Sequence, residues 1–278
     1  MEDQLRKLDL PWIKRFPGVD ASDLVIPENS SYLNHGAYGC YLAHRQAIRE
    51  ANPDDFTLIL EDDVDISHSF AQTITQNQLA ALAEYDIVFL DVAAMFDFFE
   101  VMHRQCCEKI ETDDKLSELS APYSTTGVII NDAKYRYDAT ASAYIVTPKG
   151  RRAILPFLDN QESGKEHIHA IDVFFREKIN KGELFGALLV PLLVSVSLPL
   201  SEESNIGYAI PENRPMIRWL RLLSIFRRLA YAGPTPGILE YSRPYLENSA
   251  RIYTVNQLRK EVLCSLFSLK VDGIPYGI

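Results

Sequence analysis

The sequence contains no apolar run long enough to span a bilayer, and its N-terminus lacks the apolar core of a signal peptide. The longest apolar stretch, residues 187–200, is interrupted by Pro191 and by two serines. Only four of the 278 residues are cysteine, none of them in C-x-x-C spacing, and two are adjacent. This pattern argues against a structural zinc site or a disulfide framework and favours a reducing compartment. We therefore expect a cytoplasmic protein.

Positive charge is scarce in this chain. Lysine and arginine total 28 against 38 aspartates and glutamates, which gives a net charge of −10. A general nucleic-acid binder needs a basic face to neutralise phosphates, so we expect no nucleic-acid partner. The hydrophobic fraction of 47% is that of a globular protein, and the sequence has no internal repeat or low-complexity segment.

Apolar patterns of helical and strand period alternate along the first two-thirds of the chain. Residues 36–50 predict a helix, 56–60 a buried strand, and 85–90 a second buried strand, with a helix from Ser67 or Ser69 to about residue 84 between the strands. Such alternation predicts an α/β domain with a mostly parallel sheet flanked by helices. Residues 93–122 break the rhythm and predict an excursion over one end of the sheet.

The second half of this region continues the alternation. Gly182 follows the helix predicted at 165–180 and is a typical stop signal for it. The later elements predicted are a strand at 141–146, a helix from Pro148, a helix at 165–180 and a strand at 188–196.

The most informative stretch is an acidic cluster directly after the first apolar strand. It places Glu61, Asp62, Asp63 and Asp65 within five positions. Carboxylates this close repel one another unless a cation lies between them. Ligands of open α/β sheets bind at the carboxyl ends of strands, and hard oxygen ligands suit Mg²⁺ or Mn²⁺. The cluster therefore predicts a metal site that can bridge two phosphates, with a solvated acidic turn as the alternative.

Several motifs occur in an order that resembles glycosyltransferase family 25, the lipooligosaccharide-type galactosyltransferases and their collagen-modifying relatives. That family has a G-C-x-x-S-H helix followed by an apolar strand ending in E-D-D. The matching segments are Phe16 to Asp20, Gly39 to His44, Glu61 to Asp63, Ala141 to Val146, Pro148 to Gly150, Ile171 with Asp172, and Ser204 to Ile206.

The resemblance implies a GT-A-type, Rossmann-like single domain over residues 1–210 that transfers a sugar with inversion. The implied donor is a UDP-hexose, with galactose first among the candidates. The implied acceptor is a lipooligosaccharide or another glycan, free or lipid-linked. The implied cofactor is Mn²⁺ or Mg²⁺.

The resemblance also implies roles for individual residues. Asp63 and Glu61 are expected to bind the metal, and Glu61 and Asp62 to contact the donor. His44 and Tyr144 are expected to lie near the donor as well, with a structural histidine and a core tyrosine as the alternatives. Inversion requires a base on the acceptor hydroxyl, and Asp172 is our candidate, with a local capping role as the alternative.

Two histidines flank Asp172 in the sequence. His167 and His169 are either exposed helical residues or, as in some GT-A enzymes, an extra metal ligand.

The sequence departs from the family pattern at several positions. Ala37, Ala43 and Ile48 replace the family's Glu, Ser and Trp. Family members usually open with a strand ending in N-L-D-R, and this sequence begins after that point. A non-catalytic or truncated member that serves as a binding or assembly subunit therefore remains an alternative. A metal-dependent phosphohydrolase is a further alternative, although no convincing second set of metal ligands is present.

Residues 211–278 form a region of different character, predicted to be a helical tail. Between residues 214 and 231 there are five arginines and no acid, and apolar residues recur along one helical face. This pattern is typical of a helix on an anionic membrane surface, which would place the protein on the inner face of the cytoplasmic membrane. The alternative is a core-packing helix with solvated arginines.

Overall fold

The computed structural model describes residues 2–10, 13–30, 33–111, 124–197, 214–246, 252 and 254–271. The motif at Ser204 to Ile206 lies outside these residues. The helices are α1 Glu2–Lys7, α2 His35–Glu50, α3 Phe70–Thr73, α4 Gln76–Leu82, α5 Phe99–Lys109, α6 Pro148–Glu162, α7 Ile171–Asn180, α8 Arg214–Ala230, α9 Ile238–Ser242 and α10 Val255–Val271. The strands are β1 Thr57–Leu60, β2 Val64–Ile66, β3 Ile87–Phe89, β4 Ala93–Ala94, β5 Ile110–Glu111, β6 Ser124–Thr125, β7 Ile129–Asp132, β8 Tyr137–Ala139, β9 Ala143–Val146, β10 Gly186–Val190 and β11 Val194–Val196.

A five-stranded sheet of order β1-β9-β3-β10-β7 forms the centre of the molecule. Among its neighbouring pairs only β3 and β10 are parallel, and the other three pairs are antiparallel. The α/β class and the flanking helices are confirmed, but the expectation of a mostly parallel sheet is wrong.

The direction of β9 explains this difference. The excursion after β3 leaves the sheet at the end of β3 and returns to the same end, where the Leu90 amide donates to the Ala143 carbonyl at 3.0 Å. The Glu61 amide likewise donates to the Ser142 carbonyl at 2.8 Å. β9 therefore runs antiparallel to both β1 and β3. We call this end of the sheet, where β1 and β3 end and β9 begins, the site edge.

Alternate residues of the strands face two hydrophobic clusters. In β3, Phe89 belongs to the larger cluster and Val88 to the smaller one. In β9, Tyr144 belongs to the larger cluster and Ile145 to the smaller one. Because both faces are covered, the strands are continuous apolar runs rather than alternating ones.

Local boundaries differ from the predictions in four places. Residues 165–170 are not helical, because Gly164 adopts a φ of +73° and the Ile168 amide donates to the Asn29 carbonyl instead of a helical partner. The helix predicted up to residue 84 is divided into α3 and α4, and the strand predicted at 188–196 is divided into β10 and β11. The excursion contains α5, which we did not predict.

Helix α8, the first helix of the C-terminal region, packs into the larger hydrophobic cluster. Leu222, Ile225, Phe226 and Leu229 are buried there together with residues of the sheet and of α10. The helix is present as predicted, but its apolar face is used inside the fold, which supports the core-packing alternative. Within the described residues, no helix combines the length and the apolar character needed to cross a membrane.

A close backbone approach sets the position of α2. A Cβ atom on Gly39 would lie 2.6 Å from the Val19 carbonyl oxygen and 3.3 Å from the Ala21 Cβ. The helix can approach this segment only because residue 39 has no side chain.

Candidate functional site

Helix α2 presents two side chains one turn apart to the site edge. Its first turn is capped by Asn34, whose side chain accepts from the Ala37 amide at 2.8 Å. Cys40 and His44 follow at i and i+4, so they lie on the same helical face. The Cys40 thiol donates to Glu61 Oε1 at 3.8 Å, and His44 Nε2 lies 3.3 Å from the same oxygen.

Tyr144 fixes the other side of the His44 ring. The Tyr144 hydroxyl lies 2.8 Å from His44 Nδ1, and the two rings stack with centroids 5.7 Å apart. Tyr144 is completely buried, and burial raises its pKa well above the usual value. The structure thus brings three of the predicted residues, His44, Tyr144 and Glu61, into one chain of contacts.

Glu61 stays ionised at this position. Burial by itself would raise its pKa, but hydrogen bonds with His44 and Cys40 and the positive charge of Arg227 outweigh burial and lower the pKa. The opposite holds for the Cys40 thiol, whose pKa is raised by burial and by the charges of Glu61 and Asp172. Cys40 is therefore a protonated donor to Glu61.

Asp63 carries an oxygen that fits a cation. Its Oδ1 is buried and has no hydrogen-bond partner among the described residues. Burial and the neighbouring charges of Glu61, Asp62 and Asp91 raise the pKa of Asp63 to about 6. A buried, unpartnered carboxylate oxygen surrounded by other carboxylates is the donor set that a hard divalent cation satisfies. Asp62 is exposed beside it.

Three residues of the site edge, Asp91, Ser142 and Arg227, were not predicted from the sequence. Asp91 follows β3, is completely buried, and accepts from Ser142 Oγ at 2.7 Å. It forms an ion pair with Arg227 of α8, whose Nε also donates to Asp91 Oδ1 at 3.3 Å. An acid directly after a buried strand was a usable signal for Asp91, because the same signal singled out Glu61. Nothing local to Ser142 or Arg227 indicates their position here.

Asp172 lies at the start of α7, which packs against α2. Its Oδ2 accepts from the Thr140 amide at 3.3 Å and its Oδ1 from the Val173 amide at 2.8 Å. The side chain remains partly exposed. Its charge contributes to the raised pKa of Cys40, so Asp172 lies near the other acids.

Thr140, the partner of Asp172, has a strained backbone. Its φ is +78°, a conformation that is a genuine outlier for a β-branched residue. The Tyr137 hydroxyl donates to the Thr140 carbonyl at 2.8 Å, and the Ala93 amide donates to Thr140 Oγ1 at 3.3 Å. Several contacts thus hold a costly conformation beside Asp172, as is common at functional sites.

The two histidines next to Asp172 in sequence lie elsewhere. His167 is exposed, and His169 Nε2 lies 3.9 Å from Glu177. Both line a polar cavity of about 350 Å³ that includes none of the acids of the site edge. A second cavity of about 350 Å³, with mainly apolar walls that include Phe56 and Phe70, lies on the opposite side of the sheet. Neither cavity coincides with the site edge.

A comparison with protein families identifies the chain. The model of glycosyltransferase family 25, described as LPS biosynthesis protein, matches residues 22–175. This range runs from before α2 to Asp172 and includes every residue of the site edge except Arg227. Comparisons with curated proteins and with solved structures find no match. More than half of the chain matches the family model, and the chain therefore belongs to glycosyltransferase family 25 and is a glycosyltransferase.

Proposed function

We propose that this glycosyltransferase is metal-dependent and transfers a hexose, with galactose as the first candidate, from a UDP-sugar to a lipooligosaccharide or related glycan with inversion. The observation that carries the proposal is Asp63 at the site edge. Its Oδ1 is buried without a partner and its pKa is raised, so the ionised form of this carboxylate is destabilised unless a cation binds beside it.

Asp63 and Glu61 are the residues that would hold Mn²⁺ or Mg²⁺. Such a cation, when bound, neutralises the charge that develops on the departing diphosphate. Glu61 suits this role because His44, Cys40 and the charge of Arg227 keep it ionised. Asp62 is exposed and free to contact the donor.

Asp172 is the candidate base of the proposed reaction. An inverting displacement needs a carboxylate within hydrogen-bond reach of the acceptor hydroxyl. Asp172 is partly exposed, lies near the carboxylates of the site edge, and is oriented by the Thr140 and Val173 amides. These contacts leave it able to accept the proton of an acceptor hydroxyl.

Donor and metal binding are tested by thermal unfolding with a panel of UDP-sugars, with and without Mn²⁺. A donor at about 100 times its dissociation constant stabilises the fold by about 2.7 kcal/mol, which a melting curve resolves. We expect stabilisation by one UDP-sugar only when Mn²⁺ is present. Asp63→Asn should abolish this shift, and Asp54→Asn, which removes an exposed carboxylate in the turn before β1, should keep it.

A wild-type chain that no UDP-sugar stabilises would contradict the proposal and favour a non-catalytic family member. A shift that is equally large without metal would contradict the metal dependence alone.

The role of Asp172 is tested by Asp172→Asn. We expect transfer to fall by about 10²- to 10⁴-fold, because the base is lost. The metal-dependent donor shift should be unchanged, because the amide oxygen can still accept from Thr140 and donor binding does not need the base. Transfer rates measured at saturating donor decide the point, and full turnover of this variant would exclude Asp172 as the base.

A further inference from the structure

Three side chains of different chemistry meet at the site edge around a single point. The Cys40 sulfur, a His44 ring nitrogen and a Glu61 carboxylate oxygen all lie within 4.8 Å of one another. Within the described parts of the chain, no other group of three or more such side chains converges in this way. The ligand types are a thiol, an imidazole and a carboxylate, which together suit Zn²⁺ better than Mg²⁺ or Mn²⁺.

Two of the three distances between these atoms are close to those of a tetrahedral zinc site. Zinc bonds of about 2.0–2.3 Å at tetrahedral angles place nitrogen and oxygen ligands about 3.3 Å apart and sulfur and oxygen ligands about 3.6 Å apart. The observed separations are 3.3 Å for His44 Nε2 to Glu61 Oε1 and 3.8 Å for Cys40 Sγ to the same oxygen. The third pair, the Cys40 sulfur and a His44 ring nitrogen, lies within 4.8 Å, so side-chain adjustment is needed to bring all three atoms to bonding distance.

The His44 ring also has a partner on its other nitrogen. A histidine that binds zinc usually donates its other ring N–H to a neighbouring oxygen, which fixes the tautomer. His44 Nδ1 lies 2.8 Å from the Tyr144 hydroxyl, so Nε2 is the nitrogen that faces Glu61 and Cys40. Cys40 and Glu61 are only partly buried, which leaves a path from solvent.

We propose that Cys40, His44 and Glu61 form a three-residue Zn²⁺ site with its fourth position open to water or to a phosphate oxygen. Binding exchanges the thiol proton of Cys40, which passes to solvent, for a sulfur–zinc bond. The negative charges of Glu61, Asp63 and Asp172 act on Cys40 and favour a cation at this point. The lack of C-x-x-C spacing argued against a structural zinc site, but this site needs no such spacing because its third ligand, Glu61, directly follows β1.

The proposal goes beyond sugar transfer, and one consequence rests on the function proposed above. Glu61 belongs both to the zinc group and to the expected Mn²⁺ ligands. Zinc bound to Cys40 and His44 would also be bound by Glu61 and would remove that ligand from the Mn²⁺ site. Zinc would therefore inhibit metal-dependent transfer.

The test is a titration of the reduced, metal-free full chain with Co²⁺, which reports a bound thiolate by its charge-transfer absorption, followed by displacement with Zn²⁺. We expect one equivalent of Co²⁺ with a thiolate band that Zn²⁺ removes. Cys40→Ser should abolish the band. Tyr144→Phe, which removes only the hydroxyl beside His44 Nδ1, should weaken Zn²⁺ binding by about 10- to 100-fold.

Cys107→Ser is the matched control. Cys107 and His103 are also a Cys/His pair at i and i+4, with the sulfur 3.7 Å from His103 Nδ1, but they belong to no three-ligand group among the described residues. This variant should keep the band. Absence of the band in wild type, or its persistence in Cys40→Ser, would overturn the proposal.

Two further variants cover the case in which Cys40→Ser does not fold. His44→Gln and Glu61→Gln should each weaken Co²⁺ and Zn²⁺ binding at least tenfold, and unchanged binding in both would also overturn the proposal. The titration contains no sugar nucleotide, so its failure and the failure of the donor-binding experiment are separate results.

Discussion

Four carboxyl groups of the site edge, those of Glu61, Asp63, Asp91 and Asp172, differ in their hydrogen-bond and ion-pair partners. Glu61 is held by Cys40 and His44, Asp91 by Arg227 and Ser142, and Asp172 by backbone amides. Among these four, only Asp63 has a buried oxygen with no partner in the described residues, and burial together with the neighbouring charges raises its pKa. At the residue scale, Asp63 is therefore where the fold carries an unfavourable charge.

This charge predicts a pH dependence of stability. The pKa of Asp63 rises from 3.8 to about 6 on folding, so the folded state binds the proton more tightly than the unfolded state. The contribution of Asp63 to the free energy of unfolding is therefore most favourable below about pH 4 and is lost as the pH rises through 6. Without metal, Asp63→Asn should be more stable than wild type at pH 7 and lose this advantage near pH 4.

Urea unfolding in the presence of a chelator, repeated between pH 4 and 8, measures this difference. Asp54→Asn serves as the control for removing one negative charge from an exposed position and should follow wild type. A constant difference between Asp63→Asn and wild type across this range would contradict the assignment.

At the scale of elements, helix α8 closes the site edge from the C-terminal side. Arg227 reaches the completely buried Asp91, and Arg228 forms an ion pair with Asp65 at 2.7 Å. Arg218 donates to the Tyr245 carbonyl at 3.1 Å, and Arg221 to the Tyr241 hydroxyl at 3.1 Å. These four arginines have partners within the chain, so the basic face of α8 makes stabilising contacts inside the fold and is not reserved for binding an external surface.

A pair of substitutions on α8 distinguishes a helix that belongs to the core from one that binds a membrane surface. Leu222 is completely buried, whereas Ile217 is 36% exposed on the same helix. Leu222→Ala should lower the free energy of unfolding by about 2–5 kcal/mol, because it leaves a cavity in the core. Ile217→Ala should change it by less than about 0.5 kcal/mol.

Chemical unfolding in the absence of lipid measures both variants. A Leu222→Ala variant as stable as wild type would mean that α8 contributes nothing to the folded core, and would restore the membrane-surface interpretation.

At the scale of the whole molecule, the larger hydrophobic cluster joins residues that the sequence analysis assigned to separate parts. Tyr144 of the sheet and Leu266 of α10 belong to the same cluster. Trp219 of α8 stacks on Phe96 of the excursion with ring centroids 5.9 Å apart. The boundary predicted near residue 210 lies outside the described residues and stays a prediction. The shared cluster nevertheless implies that the two parts unfold together.

Trp219 provides a test of this cooperativity. The sequence has two tryptophans, so a Trp12→Phe variant leaves Trp219 as the only one and its fluorescence as a local probe of α8. We expect the fluorescence and far-ultraviolet circular dichroism of this variant to change at the same denaturant concentration, because one core is lost in one transition. A fluorescence transition at a lower concentration would show that the C-terminal helices unfold as a separate unit.

Features that depend on a few neighbouring residues could be predicted from the sequence. The structure confirms the helix that contains Gly39 and His44, the apolar strand directly before Glu61, and the helix that begins at Pro148. Their signals are local: a capping side chain, a hydrophobic period, and a change from apolar to acidic residues. The order of these motifs also indicated the family, which the family match confirms.

Only the tertiary structure decided the direction of β9, the burial of Asp63 Oδ1 and the pairing of Asp91 with Arg227, which are 136 positions apart. A strand buried on both faces has the same apolar composition whether its neighbours are parallel or antiparallel, so its sequence does not contain its direction. Desolvation and charge pairing depend on which distant segments approach a residue, and no local pattern encodes that approach. The sequence by itself thus determined several of the helices and strands, the family and the acids after β1, whereas long-range packing determined which of those acids has a buried oxygen without a partner and which side chains surround Glu61.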